Sequence, residues 1–216
     1  MPVADLVKAL DAPIPGDVVQ TARGLVYRDF ITVGLLLTRL RIPPAAGRKK
    51  IRDNFPDNWI YIQERGVKIG RLQIFNNWSP YMVKDSDTVW TGLEYFCNKG
   101  DALWTKSDGE LAAFAVDELA KIGMIEQEAV LDRVVLRVEK AYPAYFGSYG
   151  DFHAIRKFTD RFANLFLIGR NGMHRYNNAD HSMLTAMAAV ENIMTGRTTK
   201  DNIWSINAER EYHEKK

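Results

Sequence analysis

Residues Asn164 to Glu191 read NLFLIGRNGMHRYNNADHSMLTAMAAVE. The run predicts a short apolar strand, Leu165 to Ile168, that feeds Gly169-Arg170-Asn171-Gly172 and then a polar loop, His174-Arg175-Tyr176-Asn177-Asn178. Asp180 reads as an N-cap, and an Ala-, Met- and Leu-rich helix begins near His181. The start of a helix leaves backbone N–H groups without intrahelical partners and carries a partial positive charge. A strand, a glycine turn and a capped helix in succession therefore suit an anion or an electron-rich ring.

Outward from this stretch, helix and strand signals alternate. Val3, Leu6, Val7 and Leu10 have helical spacing and stop at Pro13, and a short helix from Pro15-Gly16-Asp17 to Ala22 ends at Gly24. Leu25 to Leu40 is rich in aliphatic and β-branched residues and reads as a strand, with Gly34 as a weak point. A loop runs from Pro43-Pro44 to about Pro56. Trp59–Gln63, Gly70–Phe75 and Thr88–Phe96 read as strands, the first two joined as a hairpin through Glu64-Arg65-Gly66. Ser107 and Glu110 form a capping box ahead of Leu111, Phe114, Ala115, Leu119 and Ile122, with Gly123 just past the end. Val130 to Val138 returns to strand, Tyr142 to Gly147 reads as an aromatic loop, and Phe152 to Phe162 as a short helix. The order lacks the βαβ repeat of a doubly wound sheet. It predicts an α+β fold, with a largely antiparallel mixed sheet and helices packed on it.

Composition narrows the functional classes. The chain has 216 residues, 46% hydrophobic and 26% charged, enough for one large domain or two lobes. A net charge of +2 argues against a nucleic-acid partner, and Arg48-Lys49-Lys50-Ile51-Arg52 reads as a solvated loop without interleaved aromatic platforms. Cys97 is the only cysteine, so no internal disulfide can form, and it reads as a buried, inert thiol. No apolar run reaches membrane-span length and the N-terminus lacks a signal-peptide pattern, so a soluble, cytoplasmic protein is expected. His153, His174, His181 and His213 have no metal-type spacing, and no metal site is expected. Asp180-His181-Ser182 does not make a hydrolase triad, because consecutive residues do not converge and no G-x-S-x-G turn occurs.

The string Gly169 to Met183 resembles the C-terminal flavin-contacting signature of the FAD-dependent amine oxidase, protoporphyrinogen oxidase and UDP-galactopyranose mutase superfamily. Trp59–Glu64, Gly70–Tyr81 and Lys140–Tyr145 resemble that superfamily's substrate-binding domain. The resemblance implies a substrate-binding region over 1–162, a flavin-contacting strand–loop–helix over 163–196 and a peripheral tail over 197–216. The N-terminal G-x-G-x-x-G unit of the superfamily is not found near the start of this sequence. The expectation is thus the C-terminal portion of an FAD-dependent oxidoreductase: an isolated piece, an internal-start product or a split subunit. Its partner would be the missing FAD-binding half.

Gly169, Arg170, Gly172, His174, Arg175, Tyr176, Asp180, His181, Ser182 and Met183 are the candidate cofactor contacts. The glycines would admit close backbone approach, Arg170 and Arg175 would pair with pyrophosphate oxygens, and the helix start would face the pyrimidine edge of the flavin. Trp78, Tyr81 and Tyr145 are candidate substrate-wall residues, and the catalytic residues are not legible. Without the Rossmann half, FAD binding by the isolated chain is expected to be weak or absent. An apolar patch flanking Met173, Met183 and Met187 is expected to promote self-association. The alternative is a non-catalytic α+β module that binds a small molecule or a partner chain and no longer holds FAD.

Overall fold

The computed structural model describes residues 1–41 and 57–206. The expected loop from Pro43 to Pro56, the basic run 48–52 and His213 lie outside the described residues. The chain divides into two compact units, one formed by 1–28 and 140–216 and the other by 29–139.

The unit 29–139 is built on a sheet. Its strands are β1 (Leu25–Leu37), β2 (Trp59–Tyr61), β3 (Arg71–Ile74), β4 (Val89–Cys97) and β5 (Val130–Gly147), in the order β2-β3-β4-β1-β5. The unit boundaries fall inside β1 and inside β5. β2 pairs with β3, β3 with β4 and β4 with β1, all antiparallel. Strand periodicity explains the register. Ile31, Val33 and Leu37 lie opposite Tyr95, Leu93 and Val89, so one face is mostly apolar, with Thr91 opposite Leu35 and its hydroxyl donating to the Leu35 carbonyl at 3.2 Å.

Against that face packs α4 (Asp108–Lys121), whose Leu111, Ala112, Ala115 and Leu119 are buried with the strand residues. The capping box is present: the Ser107 hydroxyl accepts from the Glu110 N–H, and the Glu110 carboxylate accepts from the Ser107 N–H at 2.8 Å. Gly123 follows the helix with φ 76°, a backbone conformation that costs glycine nothing. β1 runs unbroken through Gly34. That glycine sits opposite Gly92, and a Cβ on it would meet Val134 Cγ1 at 2.8 Å. Cys97 is buried in β4, and burial pushes its thiol up to about 11, so it is inert as expected.

The opposite sheet face carries a buried ion pair. Arg71 Nε lies 2.5 Å from a Glu94 carboxylate oxygen, and Gln73 donates to the other oxygen. The Arg71 guanidinium lies over Trp59 at 4.5 Å and Phe96 at 4.9 Å.

In the unit 1–28 and 140–216, short helices surround the 164–191 stretch. They are α1 (Val3–Ala9) and α2 (Gly16–Gly24) from the N-terminal segment. A four-residue helix, α3 (Phe75–Trp78), belongs to the sheet unit. From the C-terminal segment come α5 (Phe152–Thr159), α6 (Gly169–Gly172), α7 (Ala179–Thr195) and α8 (Asp201–Trp204). Val3, Val7, Val18, Ile155, Phe158, Leu167, Met173, Ala189, Ile203 and Trp204 form the core.

Five sequence expectations need correction. Tyr142–Gly147 is not a loop but the continuation of β5, which among the described residues has a single neighbour in the sheet and there tolerates Pro143. Leu165–Ile168 is not a strand, and Gly169–Gly172 is a turn of helix rather than a glycine loop. The sheet pairs recorded are antiparallel rather than mixed. The residues after Gly196 are not frayed up to 206, because Lys200, Ile203 and Trp204 are buried. No helix among the described residues is long and apolar enough to cross a membrane.

Candidate functional site

The segment from Leu165 to Thr195 folds by side chains reaching its own backbone. Gly169 has φ 69°, and its N–H donates to Thr185 Oγ1 at 3.0 Å. Gly172 closes α6, and a Cβ there would lie no nearer than 3.8 Å to any neighbour. The two glycines are thus unequal, the first required by its dihedral and the second not.

Arg170 points its Nε and Nη2 at the Asn177 carbonyl, 2.9 and 2.6 Å away. Its guanidinium lies 4.9 Å from the Tyr142 and Tyr176 ring centroids, and those rings stack at 5.5 Å. Arg175 Nη1 donates to the Trp204 carbonyl at 2.7 Å, with the Trp204 ring 5.5 Å away. The Tyr176 N–H donates to the Tyr145 hydroxyl at 2.5 Å.

His174 lies in the interior rather than in a solvated loop. It is 0% exposed, has φ 48°, and sits against Tyr27 in an edge arrangement at 4.7 Å, with Tyr149 and Phe152 also close. Nε2 lies 3.1 Å from the Ala144 carbonyl and Nδ1 is buried without a hydrogen-bond partner. Both facts suit the neutral tautomer that carries its proton on Nε2. Burial holds its pKa below the ordinary imidazole value, and the Ala144 carbonyl opposes that shift.

The N-cap of α7 is Asn178, two residues before the expected Asp180. The Asn178 N–H lies 3.4 Å from His181 Nδ1, at the N3 position. Asp180 belongs to the first turn, where its carboxylate lies 3.2 Å from His181 Nδ1 and complements the helix dipole. Ser182 Oγ donates to Asn177 Oδ1 at 3.2 Å. Met183 is exposed, as are Leu184, Met187, Val190, Ile193 and Met194 on the same helix. An apolar groove of about 730 Å³ runs along Leu184, Met187, Val190 and Met194 to Ile206. Met173, expected in that patch, is instead buried in the core.

The substrate-wall candidates separate. Tyr145 belongs to the same unit as the 164–191 stretch, whereas Trp78 and Tyr81 belong to the sheet unit, where Trp78 packs edge-on against Trp59 at 6.0 Å. Three residues that hold the site together were not singled out from the sequence: Asn177, Thr185 and Lys200, all buried. Lys200 Nζ donates to the carbonyls of Thr159, Asp160, Phe162 and Leu165 at 2.7–3.3 Å, closing the turn that leads into Leu165–Ile168. A lysine among Thr198, Thr199 and Asp201 carries no sequence signal for burial. Among the described residues, no three His, Cys, Asp or Glu side chains gather as metal ligands.

No protein-family model matches the sequence, and no curated protein matches it. Solved structures do. Reduced UDP-galactopyranose mutase has a TM-score of 0.73 at 19% identity, covering 96% of this chain and 42% of its own. A putative protoporphyrinogen oxidase from Exiguobacterium sp. 255-15 has a TM-score of 0.57 at 16% identity, covering 91% of this chain and 40% of its own. This chain has the fold of part of such proteins. It spans about two-fifths of their length. At these identities the likeness is one of fold, so the sequence resemblance holds at that level.

Proposed function

We propose that the chain is the substrate-binding and flavin-capping C-terminal portion of an FAD-dependent oxidoreductase of amine oxidase-like or mutase-like type. A Rossmann dinucleotide-binding half, from a joined segment or a split subunit, completes it. The observation that carries this reading is the fold likeness to UDP-galactopyranose mutase over 96% of the chain. The stretch that resembles the flavin-contacting signature leads into α7, the longest helix among the described residues.

The residues present fit a flavin in part. The first turn of the 17-residue α7 is open to solvent at Asn178, Ala179 and Asp180, which suits the ring edge where negative charge gathers on reduction. Met183 offers an apolar contact beside it. FAD, when bound, supplies the hydride acceptor. The chain's own residues orient and shield: Gly169, Thr185 and Ser182 set the angle at which α7 begins, Arg170 holds the 170–177 loop closed, and His174 braces that loop from inside. Arg175 and Tyr176 remain the candidates for a phosphate or substrate anion. Trp78 and Tyr81 in the sheet unit, and Tyr145 in the other, are separate candidates for substrate contacts. The exposed α7 face is the surface on which the partner half would sit.

The test is reconstitution. The chain alone is expected to purify colourless. Mixed with a supplied Rossmann half, it should retain FAD and turn yellow. In that pair Arg175→Ala should weaken FAD affinity about 10- to 150-fold, with Arg175→Lys in between. A pair that stays colourless overturns the reading, and equal affinities remove Arg175 from the contact set.

A second reading, a binding module that no longer holds FAD, is favoured by one observation. Arg170 and Arg175 both direct guanidinium N–H groups at main-chain carbonyls. Colour in the reconstituted pair separates the two readings.

A further inference from the structure

β5 stands at one end of the sheet, and among the described residues no strand pairs with its outer edge. An open edge strand offers a row of unpaired N–H and C=O groups, and proteins blunt such edges with Pro, Lys, bulges or short length. The part of β5 in the sheet unit, Val130 to Glu139, reads VLDRVVLRVE and contains neither Pro, Lys nor Gly. Leu131, Val134, Leu136 and Val138 are all exposed on it. Val134, Leu136 and Val138 alternate along the strand and so share one face.

We propose that this edge pairs with the same strand of a second copy of the chain, antiparallel, about a two-fold axis at Leu136. The choice of occupant follows from charge and register. A two-fold antiparallel pair sets a residue opposite itself, and each candidate centre fixes all other pairs. Centring on Val135 sets Arg133 opposite Arg137, and centring on Arg137 sets that arginine opposite itself. Centring on Val134 sets Asp132 opposite Leu136 and Leu131 opposite Arg137. Centring on Leu136 sets Leu136 against Leu136, Val134 against Val138, Arg133 against Glu139 and Val135 against Arg137, each of the last three pairs occurring twice. Val134, Leu136 and Val138 meet apolar partners and Arg133 meets Glu139, pairings that stabilise cross-strand neighbours, while Val135 faces Arg137. Glu139 already binds Lys99 at 2.7 Å, an exposed pair that leaves room for a second cation. Arg137 is drawn aside to the Trp104 and Lys106 carbonyls and Asp108.

The full-length chain should sediment as a dimer that dissociates on dilution. Leu136→Cys should form a disulfide-linked dimer on mild oxidation, because directly opposed residues place their Cα atoms about 4.5–5.5 Å apart, within disulfide reach. Val134→Cys and Val138→Cys should not link alone but should link to each other when mixed. Cys97 is buried and common to every variant. Arg133→Glu should raise the dimer dissociation constant about tenfold, and Glu139→Arg likewise, while the double exchange should restore it. A monomer over the whole accessible concentration range overturns the proposal. So does a dimer that Leu136→Cys cannot lock, or one indifferent to Arg133→Glu. None of these outcomes depends on flavin.

Discussion

In the sheet unit, Ile31, Val33, Leu35 and Leu37 pack on Leu111, Ala115 and Leu119, and most of the buried mass is hydrocarbon. In the unit that carries the 164–191 stretch, His174, Asn177, Thr185, Asn192 and Lys200 are buried beside a smaller apolar core, and each hydrogen-bonds to backbone or a neighbouring side chain. Hydrocarbon packing is non-directional and tolerates local repacking, whereas buried hydrogen bonds fix angles and penalise a lost partner. A sheet that only has to be a platform can rely on the first. A loop–helix junction that must hold a set angle relies on the second.

The largest expected effect strikes an ion pair among the sheet unit's buried polar groups, which also include Thr91 and Glu118. Arg71→Met strands the Glu94 carboxylate, whose partner guanidinium is buried with it, and should cost about 3–5 kcal/mol in urea unfolding. Arg71→Met combined with Glu94→Leu should recover most of that loss. If the single variant costs no more than a surface change, the pair is not a buried one.

Next comes a matched pair of truncations. Leu93→Ala, at a fully buried site, should cost about 2–5 kcal/mol through lost burial and the cavity left behind. Lys200→Met removes the donor for the carbonyls of Thr159, Asp160, Phe162 and Leu165 and should cost about 1–3 kcal/mol. The two should differ in character as well. Hydrogen exchange in Lys200→Met should rise in 160–169 before it rises in the sheet, and a uniform rise would erase the difference between the two units.

The third is a pH dependence. Burial depresses the folded-state pKa of His174 below its ordinary value, so the unfolded chain takes up a proton first as the pH falls. The stability contribution is present in full above about pH 6.5 and is lost as the pH drops below it, with a slope of at most about 1.4 kcal/mol per pH unit from this one group. His174→Gln should flatten the stability profile between about pH 6.5 and the depressed value. An unchanged profile would mean that the ring is not held neutral.

The smallest effects separate two glycines that look alike in the sequence. Gly169→Ala forces a side chain into a left-handed backbone and should cost about 1–2 kcal/mol. Gly172→Ala meets nothing closer than 3.8 Å in a helical turn and should be neutral or stabilising by up to about 1 kcal/mol. Equal costs would show that close approach, and not φ, sets the need for glycine.

By itself the sequence determined what repeats on a short period or is capped locally. Aliphatic and β-branched content announced β1 as a strand, the Ser107–Glu110 box placed the start of α4, and the Arg65-Gly66 turn paired β2 with β3. Those signals are local, so they survive without knowledge of the fold. The signature at Gly169–Met183 likewise pointed to a fold that the solved structures share. Tertiary structure alone decided the rest. Whether Tyr142–Gly147 is loop or strand depends on a neighbour distant in sequence, and Pro143 misleads because a strand with one partner can accept it. Whether Leu165–Ile168 is a strand depends on a partner that four apolar residues cannot announce. Asn178 and Asp180 are equally good caps by residue type, and the partnership with His181 picks the first. His174 read as a cofactor contact in a polar loop and Lys200 as part of a peripheral tail, because polarity is all that one position shows. Burial of a polar side chain is set by the partners that meet it, and those come from elements far along the chain.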